Sequence, residues 1–229
     1  MTRRGAGQAA LGFDDAPIGD IERTMARRGR TVVIGVDEVG RGPLAGPVTV
    51  AGVALDLTDL GWCEGLDDSK KLTAEMREAL ADRVRAHARD LEVVRMPPDE
   101  VDRLNVLAAS LEGMRRAAAA LCERLGLDPT DVVVLVDGNK PMPGWPGPQQ
   151  PLVKGDGRSW AIAAASVVAK VHRDAEMCRH DATWPAYGFA QHKGYPTPAH
   201  LAALRAHGAT PIHRRSFRPV AEVLEDATS

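Results

Sequence analysis

Two short runs of apolar, β-branched residues, each closed by an aspartate, limit what this chain of 229 residues can fold into. The first run extends from Thr31 to Val36 and precedes Asp37, and the second covers residues 132–136 and precedes Asp137. Apolar runs of this length are typical of strands that are buried on both faces of a sheet. Helical patterns separate the two runs, so we expect the two strands to pair in parallel within an α/β fold.

Periodicity and capping residues predict the remaining elements. Three further strands are predicted at 47–55, 91–96 and 151–154, and the first two strands follow each other without a helix, which indicates an antiparallel hairpin. Helices are predicted at 70–88 after the N-cap Ser69, at 107–125 before Gly126, after the N-cap Ser159, and at 198–207 between Thr197 and Gly208. The sequence therefore predicts an α/β fold with a mixed five-stranded sheet flanked by helices.

Composition excludes several classes of protein. The three cysteines, Cys63, Cys122 and Cys178, are widely spaced and favour neither a disulfide framework nor a zinc site. Neither a membrane-spanning stretch nor a signal-peptide core is visible, so we expect a cytoplasmic protein without a membrane partner. The net charge is −2, but residues 170–218 contain eight Lys or Arg and only three acids. Such a local excess favours a surface that faces nucleic acid.

Acidic residues close both of the defining strands. Asp37 is followed by Glu38, and Asp137 lies at the matching position of the later strand. Asp174 lies on the predicted alanine-rich helix, four residues after Lys170. Converging carboxylates need a counter-charge, and oxygen ligands favour magnesium or manganese. An aspartate at a strand end is also a common turn residue, so spacing alone leaves both interpretations open.

Longer segments resemble a known family. Residues 37–48, DEVGRGPLAGPV, resemble the first signature of bacterial type 2 ribonuclease H (ribonuclease HII). Similar matches are DDSKKL at 67–72, VDRLNVLAASLEGMRRA at 101–117, VDGNK at 136–140, KGDGRSWAIAAASVVAKVHRD at 154–174, YGFAQHKGYPTPAH at 187–200 and PIHRRSFRPV at 211–220. The resemblance covers residues 20–220, and Ala161 is a small departure from the usual serine.

The resemblance implies a fold and an activity. It implies an RNase H-like catalytic domain at 20–190, a small helical C-terminal extension at 191–229 that binds substrate, and a disordered tail at 1–19. It also implies an endoribonuclease that cuts the RNA strand of RNA/DNA hybrids and the 5′ side of single ribonucleotides in duplex DNA. Two Mg²⁺ or Mn²⁺ ions would be held by Asp37, Glu38, Asp137 and Asp174, and the products would carry 3′-hydroxyl and 5′-phosphate ends.

Substrate contacts follow from the same match. Gly40, Arg41 and Gly42 would form a loop whose backbone approaches the ribose 2′-hydroxyl, and Tyr195 would pack on the next deoxyribose. The candidate phosphate contacts are Ser69, Lys70, Lys154, Lys170, Lys193, Arg214 and Arg215, and Ser69 is alternatively only a helix cap. His192 and His213 are candidates for assisting proton transfer or phosphate binding.

Other interpretations stay open. Residues 8–13, QAALGF, resemble peptides that dock on the bacterial sliding clamp through Gln8, Leu11 and Phe13. A type 3 ribonuclease H would share the fold but needs an extra N-terminal domain, and only about 30 residues precede the first strand here. An inactive module that merely binds hybrids is disfavoured because all four acids are present. We expect a monomer.

Overall fold

The structure is a computed structural model that describes residues 17–66 and 73–226. Five strands form one sheet within these ranges: β1 (Val32–Val39), β2 (Val48–Asp56), β3 (Asp90–Met96), β4 (Val133–Asp137) and β5 (Gln149–Leu152). Their order across the sheet is β3-β2-β1-β4-β5. The β1–β2 and β2–β3 pairs are antiparallel, whereas β1–β4 and β4–β5 are parallel. The predicted mixed sheet and the parallel pairing of the two defining strands are confirmed.

Helices cover both faces of the sheet. The described ranges contain α1 (Asp20–Arg27), α2 (Ala74–His87), α3 (Pro98–Leu104), α4 (Val106–Leu125), α5 (Trp160–Thr183), α6 (Phe189–His192), α7 (Pro198–His207) and α8 (Arg218–Asp226). α1, α2 and α5 share one apolar core with the sheet, and α3 and α4 share the other. β1 contributes to both cores because alternate residues of a strand point to opposite faces: Val33 joins the first, and Ile34 and Val36 join the second.

Helix α5 lies unusually close to the central strand. A Cβ atom built on Gly35 would come within 2.2 Å of the carbonyl carbon of Ala161, so only glycine fits there. The alanine-rich first half of α5 provides the matching flat surface. Ser159 caps this helix as predicted, since its hydroxyl accepts a hydrogen bond from the backbone N–H of Ile162 at 3.2 Å. The close contact between Gly35 and Ala161 fixes the position of α5 relative to β1.

Several element boundaries differ from those predicted. Helix α2 begins at Ala74 with Thr73 as N-cap instead of Ser69, which lies outside the described residues together with Lys70. Strand β5 (Gln149–Leu152) starts and ends two residues earlier than the strand predicted at 151–154. The helices α1, α3, α6 and α8 were not predicted. Helix α7 has the predicted bounds, with Thr197 as N-cap.

The C-terminal segment packs against the chain that links β1 to β2. The backbone N–H of Leu44 donates to the carbonyl of Gly194 at 2.8 Å, and that of Arg214 donates to the carbonyl of Leu44 at 2.8 Å. Ala45 and His213 form an isolated antiparallel bridge. The end of β1 is therefore covered by residues that are distant in sequence.

In the described parts of the chain, every helix is too short or too polar to serve as a membrane span.

Candidate active site

Three carboxylates meet where β1 and β4 end. The parallel register pairs Val36 with Val136, so Asp37 and Asp137 leave neighbouring strands at the same height. Asp37, Glu38 and Asp137 each place a carboxylate oxygen within 4.8 Å of the other two. The predicted convergence of these acids is what the structure shows.

Burial and mutual repulsion make this cluster electrostatically unfavourable when no cation is present. Burial, followed by the charges of Asp137 and Glu38, raises the pKa of Asp37 well above its usual value. Burial also raises the pKa of Glu38 to about 7; Arg41 opposes this increase and Asp137 adds to it. The side chain of Arg41 is half exposed and lies 3.3 Å from Glu38. Since like charges in a site of low polarity destabilise one another, a bound divalent cation would stabilise the ionised cluster.

The cluster opens into a cavity of about 340 Å³. Its lining consists of the three acids, Val39, the loop residues Gly40, Arg41 and Gly42, and Ser166, Lys170 and Tyr195. The donors supplied by the acids are all carboxylate oxygens, which suit Mg²⁺ and Mn²⁺ better than softer metals. The residues present therefore fit a hard divalent cation.

Asp174 does not join these three acids. On α5, Ser166 hydrogen-bonds to Asp37, and Lys170 lines the cavity one turn later. Asp174 lies eight residues beyond Ser166, which is about 12 Å further along the helix axis. Its carboxylate instead accepts a hydrogen bond from Lys170 at 2.8 Å, and it lines a neighbouring cavity with Arg77, Cys178 and Lys193.

A different acid, Asp156, follows directly after the residue whose backbone bonds to Asp137. It belongs to a 3₁₀ turn, Gly155–Gly157, that follows β5, and it is only 6% exposed. The preceding residue, Gly155, donates its backbone N–H to the carboxylate of Asp137 at 2.8 Å. Asp156 is not among the acids predicted from the sequence, although β5 is a third parallel strand and its carboxyl end lies at the same edge of the sheet as those of β1 and β4.

The glycine loop and Tyr195 form one wall of the cavity. Gly40 has a φ of 94°, and a Cβ atom there would lie 2.2 Å from the guanidinium of Arg173. At Gly42 the ring of Tyr195 lies 3.4 Å from the position of a Cβ atom. Tyr195 keeps 44% of its surface exposed, so it is available to a ligand. The structure therefore brings together the predicted loop and the predicted tyrosine.

The predicted phosphate-binding residues fall into two groups: most of them lie near the surface, and Arg214 is buried. Lys154 and Arg215 are exposed, and Lys170 borders the cavity. Lys193 donates to the carbonyl of Ala190 at 2.8 Å and contacts Cys178. These positions leave ammonium or guanidinium groups near the surface.

Arg214 differs, and the expectation that it contacts phosphate does not fit its position. Its side chain is fully buried, and its guanidinium donates to the backbone carbonyls of Gly40, Arg41 and Gly46 at 2.6–3.0 Å. An arginine whose donors are satisfied in this way stabilises the backbone conformation of the loop that contains Gly40 and Arg41. His213 is likewise buried, and His192 is partly buried.

Comparisons with known proteins identify the family. The family model for Ribonuclease HII matches residues 34–220. A Ribonuclease HII from Delftia acidovorans is 53% identical over 196 residues, covering 86% of this chain and 80% of the relative. A Ribonuclease HII from Francisella tularensis is 44% identical over 195 residues, covering 85% of this chain and 100% of the relative.

Solved structures share the fold. Ribonuclease H2 from Pyrococcus horikoshii superimposes with a TM-score of 0.69 at 24% identity, covering 86% of this chain and 99% of that one. The RNase HII in a PCNA complex from Archaeoglobus fulgidus gives a TM-score of 0.64 at 27% identity, covering 80% and 93%. Bst-RNase HIII in complex with Mn²⁺ gives 0.66 at 18% identity, covering 86% and 70%. On its sequence, its fold and its acidic cluster, the chain belongs to the ribonuclease HII family and is a ribonuclease H.

Proposed function

We propose that this enzyme cuts the RNA strand of RNA/DNA hybrids and also cuts on the 5′ side of a single ribonucleotide in duplex DNA, leaving 3′-hydroxyl and 5′-phosphate ends. One observation carries the proposal: three carboxylates, a glycine loop and an exposed tyrosine line the same cavity. The acids supply the chemistry, while the loop and the ring supply a means of recognising one sugar.

In this proposal Asp37, Glu38 and Asp137 would hold two Mg²⁺ or Mn²⁺ ions. The chemistry supplied by such ions when bound would be activation of the attacking water and stabilisation of the leaving 3′-oxygen. The resemblance implies Asp174 as the fourth carboxylate, but the distance of Asp174 along α5 and its pairing with Lys170 disfavour that role. Asp156 is the better candidate because it is buried beside the residue that binds Asp137.

The loop of Gly40, Arg41 and Gly42 would identify the ribose. Glycine permits the backbone to approach a sugar closely enough for hydrogen bonding to its 2′-hydroxyl. The ring of Tyr195 lies beside Gly42, where it would pack on the following deoxyribose. A junction of RNA and DNA would then be bound more tightly than a continuous RNA strand.

Phosphates would be bound by the basic residues that keep exposed or cavity-facing groups. These are Lys154, Lys170, Lys193 and Arg215, together with Ser69 and Lys70 outside the described residues. The helical segment 191–229 would act as the substrate-binding extension of the catalytic domain at 20–190. We propose that the enzyme works as a cytoplasmic monomer.

The test is digestion of one end-labelled DNA duplex that contains a single ribonucleotide, with and without Mg²⁺. The proposal expects one metal-dependent cut on the 5′ side of the ribonucleotide, which Asp37→Asn abolishes. A type 3 ribonuclease H would leave this duplex nearly uncut while digesting a continuous hybrid. Equal cutting by Asp37→Asn and the wild type would refute the assignment of the site.

A contact with a sliding clamp is a second proposal. The family member from Archaeoglobus fulgidus was solved as a complex with PCNA. In this chain the candidate segment contains Gln8, Leu11 and Phe13, which lie outside the described residues. Purified bacterial clamp should bind the wild type more tightly than the double variant Leu11→Ala, Phe13→Ala. Equal binding would rule out this segment.

A further inference from the structure

Three histidines of the C-terminal segment form one connected cluster behind the active-site cavity. His200 and His213 are 0% and 2% exposed, and their Nε2 atoms lie 3.1 Å apart. The rings of His192 and His200 stack with their centroids 4.5 Å apart. Phe189 packs against all three rings. None of these histidines takes part in the chemistry proposed above.

The hydrogen-bond partners determine which nitrogen of each ring carries the proton. Nδ1 of His213 must accept, because the backbone N–H of Thr210, a group that can only donate, lies 2.9 Å away. The proton of His213 is then on Nε2, which donates to Nε2 of His200. His200 must in turn carry its proton on Nδ1, which donates to the carbonyl of Tyr195 at 2.9 Å.

His192 is fixed by the same logic. The backbone N–H of Gly194 donates to Nδ1 of His192 at 3.1 Å, so its proton is on Nε2 and donates to the carbonyl of Tyr187 at 2.7 Å. His192 also accepts the backbone N–H of Tyr195 at 2.9 Å through its carbonyl. Tyr195 is therefore held through its N–H by His192 and through its carbonyl by His200.

An additional proton cannot be added to the cluster without breaking one of these bonds. On His213 it would oppose the N–H of Thr210, on His200 it would oppose the N–H of His213, and on His192 it would oppose the N–H of Gly194. Among residues 17–66 and 73–226, the titratable groups in contact with the rings are one another and the phenol of Tyr187, whose ring lies 5.3 Å from that of His213 and whose hydroxyl donates to the carbonyl of Gly208.

Within the described residues, the hydrogen bonds and ring contacts of the three histidines include no carboxylate. Burial accordingly lowers the pKa of His200, and burial followed by the charge of His200 lowers the pKa of His213 to about 4. Both rings are thus neutral near pH 7.

We propose that His200 and His213 are positioning residues for substrate. His213 donates to His200, and His200 donates to the carbonyl of Tyr195. These two hydrogen bonds between neutral rings fix the backbone of Tyr195, so that its ring stays against Gly42 at the mouth of the cavity. The role rests on the proposed function of Tyr195 as a sugar contact. His213 also contacts the chain that links β1 to β2, since its backbone bridges to Ala45 and it precedes the buried Arg214, which bonds the carbonyl of Gly40. The pair therefore connects Tyr195 to the chain that links β1 to β2, and the sugar would contact both.

The first test reads the tautomers without substrate. Nitrogen-15 NMR of the histidine rings of the full chain at pH 7.5 should show His213 protonated on Nε2 and His200 on Nδ1. A proton on Nδ1 of His213 would overturn the proposal. This result is independent of cleavage, so it separates failure of the histidine pair from failure of the proposed function, which the wild-type cleavage assay tests.

The second test is a double-mutant cycle measured as cleavage of the single-ribonucleotide duplex. His200→Leu should raise KM about tenfold, as expected for a lost buried hydrogen bond, with kcat changed less than about twofold. His200→Asn keeps a donor at the Nδ1 position and should recover most of the binding. In a Tyr195→Ala background, His200→Leu should add less than about twofold.

His207→Asn is the matched control, because His207 is exposed on the same helix as His200. It should leave both kinetic constants unchanged. The same rise in KM with and without the Tyr195 ring, or a loss confined to kcat, would overturn the proposal. If His200→Leu proves unfolded by circular dichroism, the NMR result on the wild type decides.

Discussion

At the scale of single residues, the question is which fourth carboxylate serves the acidic cluster. Asp156→Asn should lower kcat at least about a hundredfold, because it would remove a ligand close to Asp137. Asp174→Asn, which breaks only a partly exposed pair with Lys170, should lower it less than about tenfold. Single-turnover cleavage in Mg²⁺ measures both variants. The reverse ranking would return the role to Asp174.

The pKa of Glu38 gives a second prediction at this scale. Folding raises that pKa from 4.5 to about 7, so the folded, metal-free protein binds a proton that the unfolded chain releases. Its free energy of unfolding should therefore fall as the pH rises from 4.5 to 7. A divalent ion needs the ionised form, so Mn²⁺ affinity should increase about tenfold between pH 6 and pH 8.

Isothermal titration calorimetry at the two pH values measures this increase. Glu38→Gln cannot ionise at this position, and it should bind more weakly while losing the part of the pH dependence due to Glu38. An affinity of the wild type that is equal at pH 6 and pH 8 would contradict the expected coupling.

At the scale of elements, the contact of α5 with β1 sets the geometry of the site. Gly35→Ala would place a methyl group 2.2 Å from the backbone of Ala161, where no side chain can move aside. We expect it to lower the free energy of unfolding by at least about 3 kcal/mol. The control Gly61→Ala meets nothing within 4 Å and should change it by less than about 1 kcal/mol. Urea denaturation compares them, and equal stabilities would mean that α5 shifts without cost.

The sequence predicted those elements whose pattern is long or well capped. Helices α4, α5 and α7 combine helical periodicity or alanine-rich composition with caps at Gly126, Ser159 and Thr197, and the structure contains all three. α1 is only eight residues long and has no side-chain cap, so its two buried apolar residues gave too weak a signal. The position of Asp174 was harder to predict, because helical spacing specifies direction around the axis of α5 but not distance along it.

At the scale of the whole molecule, buried arginines connect parts of the chain that sequence analysis treats separately. An arginine in the run HRRSF resembles a surface charge, and only the fold reveals that Arg214 is enclosed while its neighbour Arg215 is exposed. Burial, followed by the charge of Arg173, lowers the pKa of Arg214 to about 9. Arg173 bonds the carbonyls of Ala45, Pro47 and Lys193 in the same way. The two side chains thus connect the C-terminal segment to residues 40–47, which link β1 to β2.

Replacing the guanidinium of Arg214 tests this connection. Arg214→Lys keeps the charge but offers a single ammonium in place of a planar guanidinium that binds three carbonyls. We expect the free energy of unfolding to fall by about 2–4 kcal/mol, and amide exchange to accelerate in residues 40–47. Arg215→Lys, at the exposed neighbouring position, should do neither. Arg214 bonds the loop of Gly40, Arg41 and Gly42, and Tyr195 lies against Gly42. Faster amide exchange in the loop should therefore be accompanied by a higher KM for the single-ribonucleotide duplex. A variant with a mobile loop and an unchanged KM would show that substrate binding alone can order the site.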